Sequence, residues 1–415
     1  MRIATKERVQ VHGAGHKLVA DNGQPVRVCF VIDRLRAAGT ERQLLGLIEH
    51  LDRRRVAPVL CLLDGRDALS AQLAPRDCPV HALGVRSLHK PHTMAAAARF
   101  VRLLRQERIE VVQTHFPDST YFAAPLARLS GARVVRTRRD LGYWMQAHDR
   151  VLGRLLNRWL VDATLANCEA CRRAVIADEA AEPQSVFVME NGAELDRYKE
   201  ISAPDWSDNA PRRIGLVANL RPVKAPELFV RAAIELCARH PQVTFHLAGE
   251  GELQAPLRRL IGERSLAHRI LLHGSISDLP AFLSTLHIGA LTSQSEGLSN
   301  AIVEYMAAGR AIVATSVGGN PELIEHESTG LLVPPGDLGA LTKALERLLL
   351  DPHLAARLGA RARQTAHRRF AWATAARRAE CFYAKLVGRQ FSELAAVVDV
   401  PETRASVDML APTLV

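Results

Sequence analysis

Short apolar, β-branched runs that alternate with longer amphipathic stretches leave a chain few ways to bury both, and that alternation dominates this sequence. "VRVCFVID", Val26 to Asp33, is followed by the loop "RLRAAGTE" and a helical "RQLLGLIEHL". "APVLCLL", "MAAAARFVRLLRQE", "IEVVQTH", "DSTYFAAPLARL", "ARVVRTRR", a long helical stretch, "DATLAN", another helix and "SVFVME" continue the rhythm. Strands without a polar face, spaced by helices, predict a parallel sheet covered on both sides. The rhythm stops at "ISAPDWSDNAPRR", Ile201 to Arg213, which is aperiodic and rich in turn residues and reads as a linker. It restarts with "RIGLVANL", "PELFVRAAIELCARH", "VTFHLAGE", "RILLHG", "LPAFLSTL", "IGALTS", "AIVAT" and "GLLVP". The expectation is α/β architecture: two doubly wound, Rossmann-like domains, at 26–200 and 214–368, facing across a cleft. From Asp337 to about Gly388 the pattern is helical, and 369–389 is read as a C-terminal helix that packs back on the first domain. Residues 1–25 and 390–415 lack periodicity and are read as flexible tails.

Bulk properties agree with a two-domain soluble chain. Its 415 residues exceed one ordinary core, and no segment has the roughly 18 uncharged apolar residues of a membrane span. The charged N-terminus lacks the apolar stretch of a secretory signal, so the expected location is the cytoplasm. Seven scattered cysteines do not make a disulfide framework, and Cys168 and Cys171 have no second pair to complete a zinc site. The net charge is +10, and its excess lies early: residues 1–200 carry 31 Lys+Arg against 23 Asp+Glu. Such a bias suits a phospholipid surface, a phosphorylated acceptor or nucleic acid, or it is simply a solvated basic surface. Nucleic acid is the poorest fit, because aromatics are only 5% and do not alternate with the arginines.

"EGLSNAIVE", residues 296–304, follows the strand "IGALTSQS" and places one carboxylate before a glycine turn and a second inside the next helix. Gly297 permits close backbone approach, and Ser299 and Asn300 are preferred cap types. The first helical turn therefore offers free N–H groups and a dipole end to phosphate. Glu304, four residues after Asn300, shares that face and can accept bonds from paired sugar hydroxyls. Taken alone, the spacing also fits a solvated Glu296 and a Glu304 that merely complements the helix dipole.

The longer segment "SEGLSNAIVEYMAAGRAIVATSVGGNPELIEHESTGLLVPPGD" resembles the nucleotide-sugar half of the retaining glycosyltransferases of family 4, which have the GT-B fold. The likeness extends, less densely, from Val26 to about Leu386. It implies that Glu296 holds the donor sugar's hydroxyls, that the amides of Gly297, Leu298 and Ser299 meet sugar and diphosphate, and that Glu304 binds the ribose. "ANLRPVKAPE" resembles the family's cationic loop for the diphosphate. Lys224 matches it; the usual Arg position is occupied by Asn219, and Arg221 is taken as the substitute. Fixed cations there would stabilise the leaving group as its charge develops. "RAAGTERQLL" resembles the glycine loop, with Ala38 in place of its first glycine and Gly39 left to approach the donor phosphate. The resemblance also makes His115, at the end of "VVQTH", a catalytic-side residue near the transferred sugar. Without it, such a lone histidine is more often structural. "RTRRDLGYW" supplies Arg138 and Arg139 as candidate acceptor contacts, with solvated arginines the alternative, and "MENGAELDRY" is read as turning the chain before the linker.

No Asp-x-Asp sequence is present, so neither a metal nor a cofactor is expected beyond the nucleotide sugar as co-substrate. The expected function is that of a retaining, metal-independent, hexosyltransferase-like enzyme. It would move a sugar from a nucleoside diphosphate to a hydroxyl of a glycan or lipid-linked acceptor in cell-surface or exopolysaccharide synthesis. The basic first half suggests a peripheral place on the inner membrane face. Uridine is the first choice of base. The competing readings are a non-catalytic GT-B-fold binding protein and a nucleotide-sugar epimerase.

Overall fold

A computed structural model describes residues 24–391 apart from 37, 66, 91 and 208–210. The tails expected at 1–25 and 390–415 therefore lie, except for 24–25 and 390–391, outside the described residues. The strands are β1 Val26–Ile32, β2 Val56–Leu62, β3 Val80–Ala82, β4 Val111–Thr114, β5 Arg133–Arg138, β6 Ala163–Ala166 and β7 Val186–Val188 in the first half. The second half has β8 Arg212–Val217, β9 Val243–Ala248, β10 Ile270–Gly274, β11 Ile288–Leu291, β12 Ala311–Thr315 and β13 Leu331–Val333. They form two separate all-parallel sheets, ordered β3-β2-β1-β4-β5-β6-β7 and β10-β9-β8-β11-β12-β13. The doubly wound α/β class expected from the sequence is the fold observed.

Each order reverses once, between β1 and β4 and between β8 and β11. Open α/β sheets hold ligands outside the carboxyl ends of the strands at such a reversal. The loops leaving β1 and β4 carry Gly39 and His115; those leaving β8 and β11 carry Lys224 and Glu296. The topology thus collects residues scattered over more than 250 positions at two facing sheet edges.

One apolar cluster fills the second domain, and two flank the first sheet. A further one crosses the seam, joining Cys168, Cys171 and Val175 to Leu298, Ile302, Ile312 and Leu323. Within the segment expected as a linker, Trp206 packs edge-on against His287, and Arg212 lies over the indole. The helix Trp372–Leu386 returns to the first sheet. Trp372 fits against Gly46 and Gly192, where any Cβ would collide with its ring, and the Tyr383 hydroxyl donates to Gln113 Oε1 at 2.7 Å.

Candidate active site

The second-domain wall is built from two loops tied together before any ligand arrives. Thr292 Oγ1 donates to the carbonyls of Lys224 (3.1 Å) and Ala225 (3.0 Å), and Gln294 N–H donates to Val223 O at 2.8 Å. These bonds bring the Lys224 ammonium to 2.6 Å from Glu296 Oε1, which also accepts from Ser293 Oγ at 2.6 Å. Ser293 is held in turn because its carbonyl accepts from Thr315 Oγ1. Both bonds to Glu296 fall on one oxygen. Among the described residues no donor takes Oε2, so that oxygen remains for a ligand hydroxyl. Asn219 and Arg221 stand exposed on the same loop, and Arg221 makes no ion pair among the described residues.

Past Glu296 the backbone runs under the first domain. A Cβ on Gly297 would strike the carbonyl oxygen of Arg139, so glycine is needed there for the walls to meet. Leu298 turns its side chain into the seam core and leaves only backbone for a ligand. Ser299 is the N-cap of the helix Asn300–Ala307, accepting from Ile302 N–H at 3.4 Å. Glu304 lies one turn on, half-buried. Burial lifts its carboxyl from the usual 4.5 to about 7, against the pull of Arg42 and Arg197. Those arginines come from the first domain and its exit segment, so Glu304 sits where the halves meet.

On the facing wall His115 is 5% exposed. Its ring nitrogens lie 3.4 Å from Gln113 Nε2 and 3.4 Å from Thr137 Oγ1. Burial, and then the Arg139 charge, lower its pKa to about 3, so it stays neutral at physiological pH. A neutral ring there can hydrogen-bond a substrate but cannot shuttle a proton near pH 7. Gly39 opens the helix Gly39–His50 and lies against the Asn300 amide. Ala38, in place of the expected glycine, has φ −109° and ψ 172°, extended backbone that any residue adopts.

Arg138 and Arg139 differ in what they have left to offer. Arg138 is committed to Asp140, Glu179 and Met145, with its guanidinium over Trp144. An acceptor would find it already engaged. Arg139 donates to Asn191 Oδ1 at 2.7 Å, while its buried Nε has no partner. Asn167 Oδ1 beside it is also unpartnered, and both residues border a cavity of about 30 Å³ at the end of the first sheet.

Several seam residues escaped sequence reasoning. Asn191 Nδ2 donates to Asn300 Oδ1 at 2.7 Å, and Gln43 Nε2 reaches the same oxygen at 3.3 Å. Gln43 also exchanges two bonds with the backbone of Gly192. The Asn-Gly turn of "MENGAELDRY" therefore anchors the donor-side helix as well as turning the chain. Glu322 accepts from the N–H groups of Glu169 and Ala170, both at 2.8 Å, and so caps a first-domain helix from the second domain. Asp33, at the exit of β1, has its carboxyl raised to about 6 by burial and then by Asp118. Only the Asn-Gly pair carried a local signal; the others depend on contacts distant in sequence. Among the described residues one trio, Glu49, His50 and Glu194, brings three metal-ligating groups together. His50 there is bonded to Gly46 O and stacked on Trp372.

Two parallel α/β sheets joined across an apolar seam, with an acid–cation pair and a capped helix end on the second-domain wall, define a two-domain α/β protein with a polar, charged site at its strand ends. Sequence profiles give this class its family: "Glycosyltransferase Family 4" matches residues 37–197, and "Glycosyl transferases group 1" matches 199–365. The chain belongs to the retaining glycosyltransferases of family 4, with the GT-B fold. Alpha-D-kanosaminyltransferase of Streptomyces kanamyceticus is 36% identical over 144 residues, 34% of this chain and 37% of that one. The chain thus aligns with little more than a third of that relative. The Escherichia coli UDP-Gal:alpha-D-GlcNAc-diphosphoundecaprenol alpha-1,3-galactosyltransferase is 26% identical over 62% of this chain and 71% of its own. Anabaena Alr3699/HepE, solved in complex with UDP, superposes with a TM-score of 0.74 at 22% identity, over 85% of this chain and 98% of that one.

Proposed function

We propose that the protein transfers a sugar, with retention of anomeric configuration and without a metal, from a uridine diphosphate sugar to a hydroxyl of a glycan or lipid-linked acceptor. The observation that carries this reading is the Lys224–Glu296 pair, held by four loop bonds at the reversal point of the second sheet. A cation fixed there favours the departing diphosphate more than the intact donor. Arg221, unpaired among the described residues, adds charge to the same loop, with Asn219 beside it. Glu296 Oε2 would take sugar hydroxyls, and the backbone of Gly297 to Ser299 would receive the phosphates at the helix end. Glu304 would take the ribose hydroxyls, while Gly39 would close over the donor from the first domain. His115 would act as a neutral hydrogen-bonding group near the transferred sugar. The unpartnered Arg139 Nε and Asn167 Oδ1 favour that wall as the acceptor side. A lipid-linked acceptor is supported by the diphosphoundecaprenol-linked substrate in the name of the Escherichia coli relative. The reading places the chain in the cytoplasm, at the inner membrane face, in cell-surface or exopolysaccharide synthesis.

Slow hydrolysis of UDP-, GDP- and ADP-sugars tests it without knowing the acceptor. Wild type should release nucleotide from a UDP-sugar. Glu296→Ala and Lys224→Ala should each lower that rate about 10²–10³-fold, the usual cost of removing a fixed charge-stabilising group. Release that survives both substitutions would remove this site from the chemistry, and release of an isomerised sugar nucleotide would make the protein an epimerase.

A further inference from the structure

We propose that the exposed face of the helix Ala147–Trp159, with Tyr143 and Trp144 before it, docks the first domain on an anionic lipid surface. The proposal deepens the membrane placement above by assigning it a surface, and its readout is independent of sugar transfer. The helix buries only Gly153 and Leu156. Gly153 lets it sit close to Glu179, whose carboxylate a Cβ would strike, and Asn157 donates to the Glu179 carbonyl at 3.0 Å. Nothing described covers the opposite side: Val151 is 54% exposed, Leu155 50% and Trp159 57%, with Leu152 beside them. Among the described residues eleven large apolar or aromatic side chains are exposed, and six of them fall within residues 143–159. Scattered exposed apolar side chains are ordinary; a cluster rimmed by charge marks an interaction site.

Charge selects the occupant. Val151, Leu155 and Trp159 recur every four residues and form one stripe; Arg150, Arg154 and Arg158, all exposed, form the adjacent one. The only acidic side chain of the helix, Asp149, is turned to its N-terminus and accepts from Gln146 N–H. An apolar stripe carrying a tryptophan and flanked by arginines is the pattern of a helix lying in a lipid interface. The same pattern disfavours an antiparallel two-fold contact through this face, which would oppose the arginine stripe to its own copy.

Position links the surface to the cleft. Leu141 packs against Gly318 of the second domain, two residues before Tyr143. An acceptor anchored by an apolar tail in the bilayer would then present its hydroxyl at the mouth of the site.

The test is flotation of the full chain with phosphatidylcholine vesicles, with and without phosphatidylglycerol, over a range of salt and with no sugar donor. Wild type should float with the anionic vesicles, less so as salt rises. Leu155→Ser with Trp159→Ser should lower binding at least about tenfold. Arg150→Gln should lower it about fivefold, the usual weight of one basic residue at an anionic surface. Nucleotide release and melting temperature should stay at wild-type values in each, which separates docking from folding and from the donor site. Equal binding by wild type and the apolar double variant, or no binding to anionic vesicles, would overturn the proposal. So would a wild-type dimer that the apolar substitutions convert to monomer, since a second copy would then be the occupant.

Discussion

Glu304 shows at the residue scale how a binding site costs stability. Its carboxyl titrates near 7 in the folded chain, against 4.5 ordinarily, because it is partly desolvated at the seam. With the folded pKa raised, the group's stabilising contribution is complete below about pH 4.5 and is lost as pH rises through about 7. Glu304→Gln should therefore melt with wild type at pH 4.5 and be more stable than it at pH 8, by about 1–2 kcal/mol after allowing for partial exposure. Nucleotide affinity should fall in the same variant. Thermal melts at the two pH values decide it, and an unchanged difference between them would mean that the carboxylate is not desolvated. His115 titrates in the opposite sense. Its lowered pKa means that protonation favours the unfolded chain as pH falls from 6.5 toward 3.

Among the elements, the helix Glu169–Glu179 is governed by a residue 150 positions away. Its first two free amides are taken by both oxygens of Glu322, a charge-assisted cap at the positive end of the dipole. Arg369 fastens the same corner by donating to Glu190 and to the Glu322 carbonyl. Glu322→Ala should cost about 1–2 kcal/mol of cap energy, expressed mainly as easier separation of the domains. Hydrogen exchange at the Glu169 and Ala170 amides should speed up, with the core of the second sheet unaffected. Unaltered exchange there would show that the cap does not hold the seam.

For the whole molecule, the apolar cluster across the seam and the return of Trp372–Leu386 to the first sheet predict one cooperative unit. Calorimetry should give a single transition, whereas two well-separated transitions would contradict it. Uridine diphosphate at about a hundred times its dissociation constant should add about 2.7 kcal/mol and raise that transition by a few degrees, more than GDP or ADP does. Greater protection by GDP or ADP would change the base assigned to the donor while leaving the fold's logic intact.

Most of the two sheets could be read in advance, because a parallel strand buried on both faces must be a continuous apolar run bounded by turn residues. The three-residue edge strand Val80–Ala82, which has no fully buried residue, escaped, as did the helix Gln254–Glu263, whose buried face holds only Leu257 and Ile261. The glutamates and Lys224 were singled out through the resemblance to family 4, because local pattern alone equally allowed a solvated Glu296, a Glu304 complementing the helix dipole and a solvated cation in the loop after β8. Their partners were not. Asn191 meets Asn300, Glu322 meets the start of the Glu169–Glu179 helix, and Arg138 is spent on Glu179, all across long stretches of chain. Periodicity and caps act over a few residues, so the sequence alone determined the two sheets, the break between them and the loops that leave their strands. How the sheets face each other, which arginines remain unengaged and which helix face is left uncovered depend on packing between remote segments, and only the tertiary structure decided them.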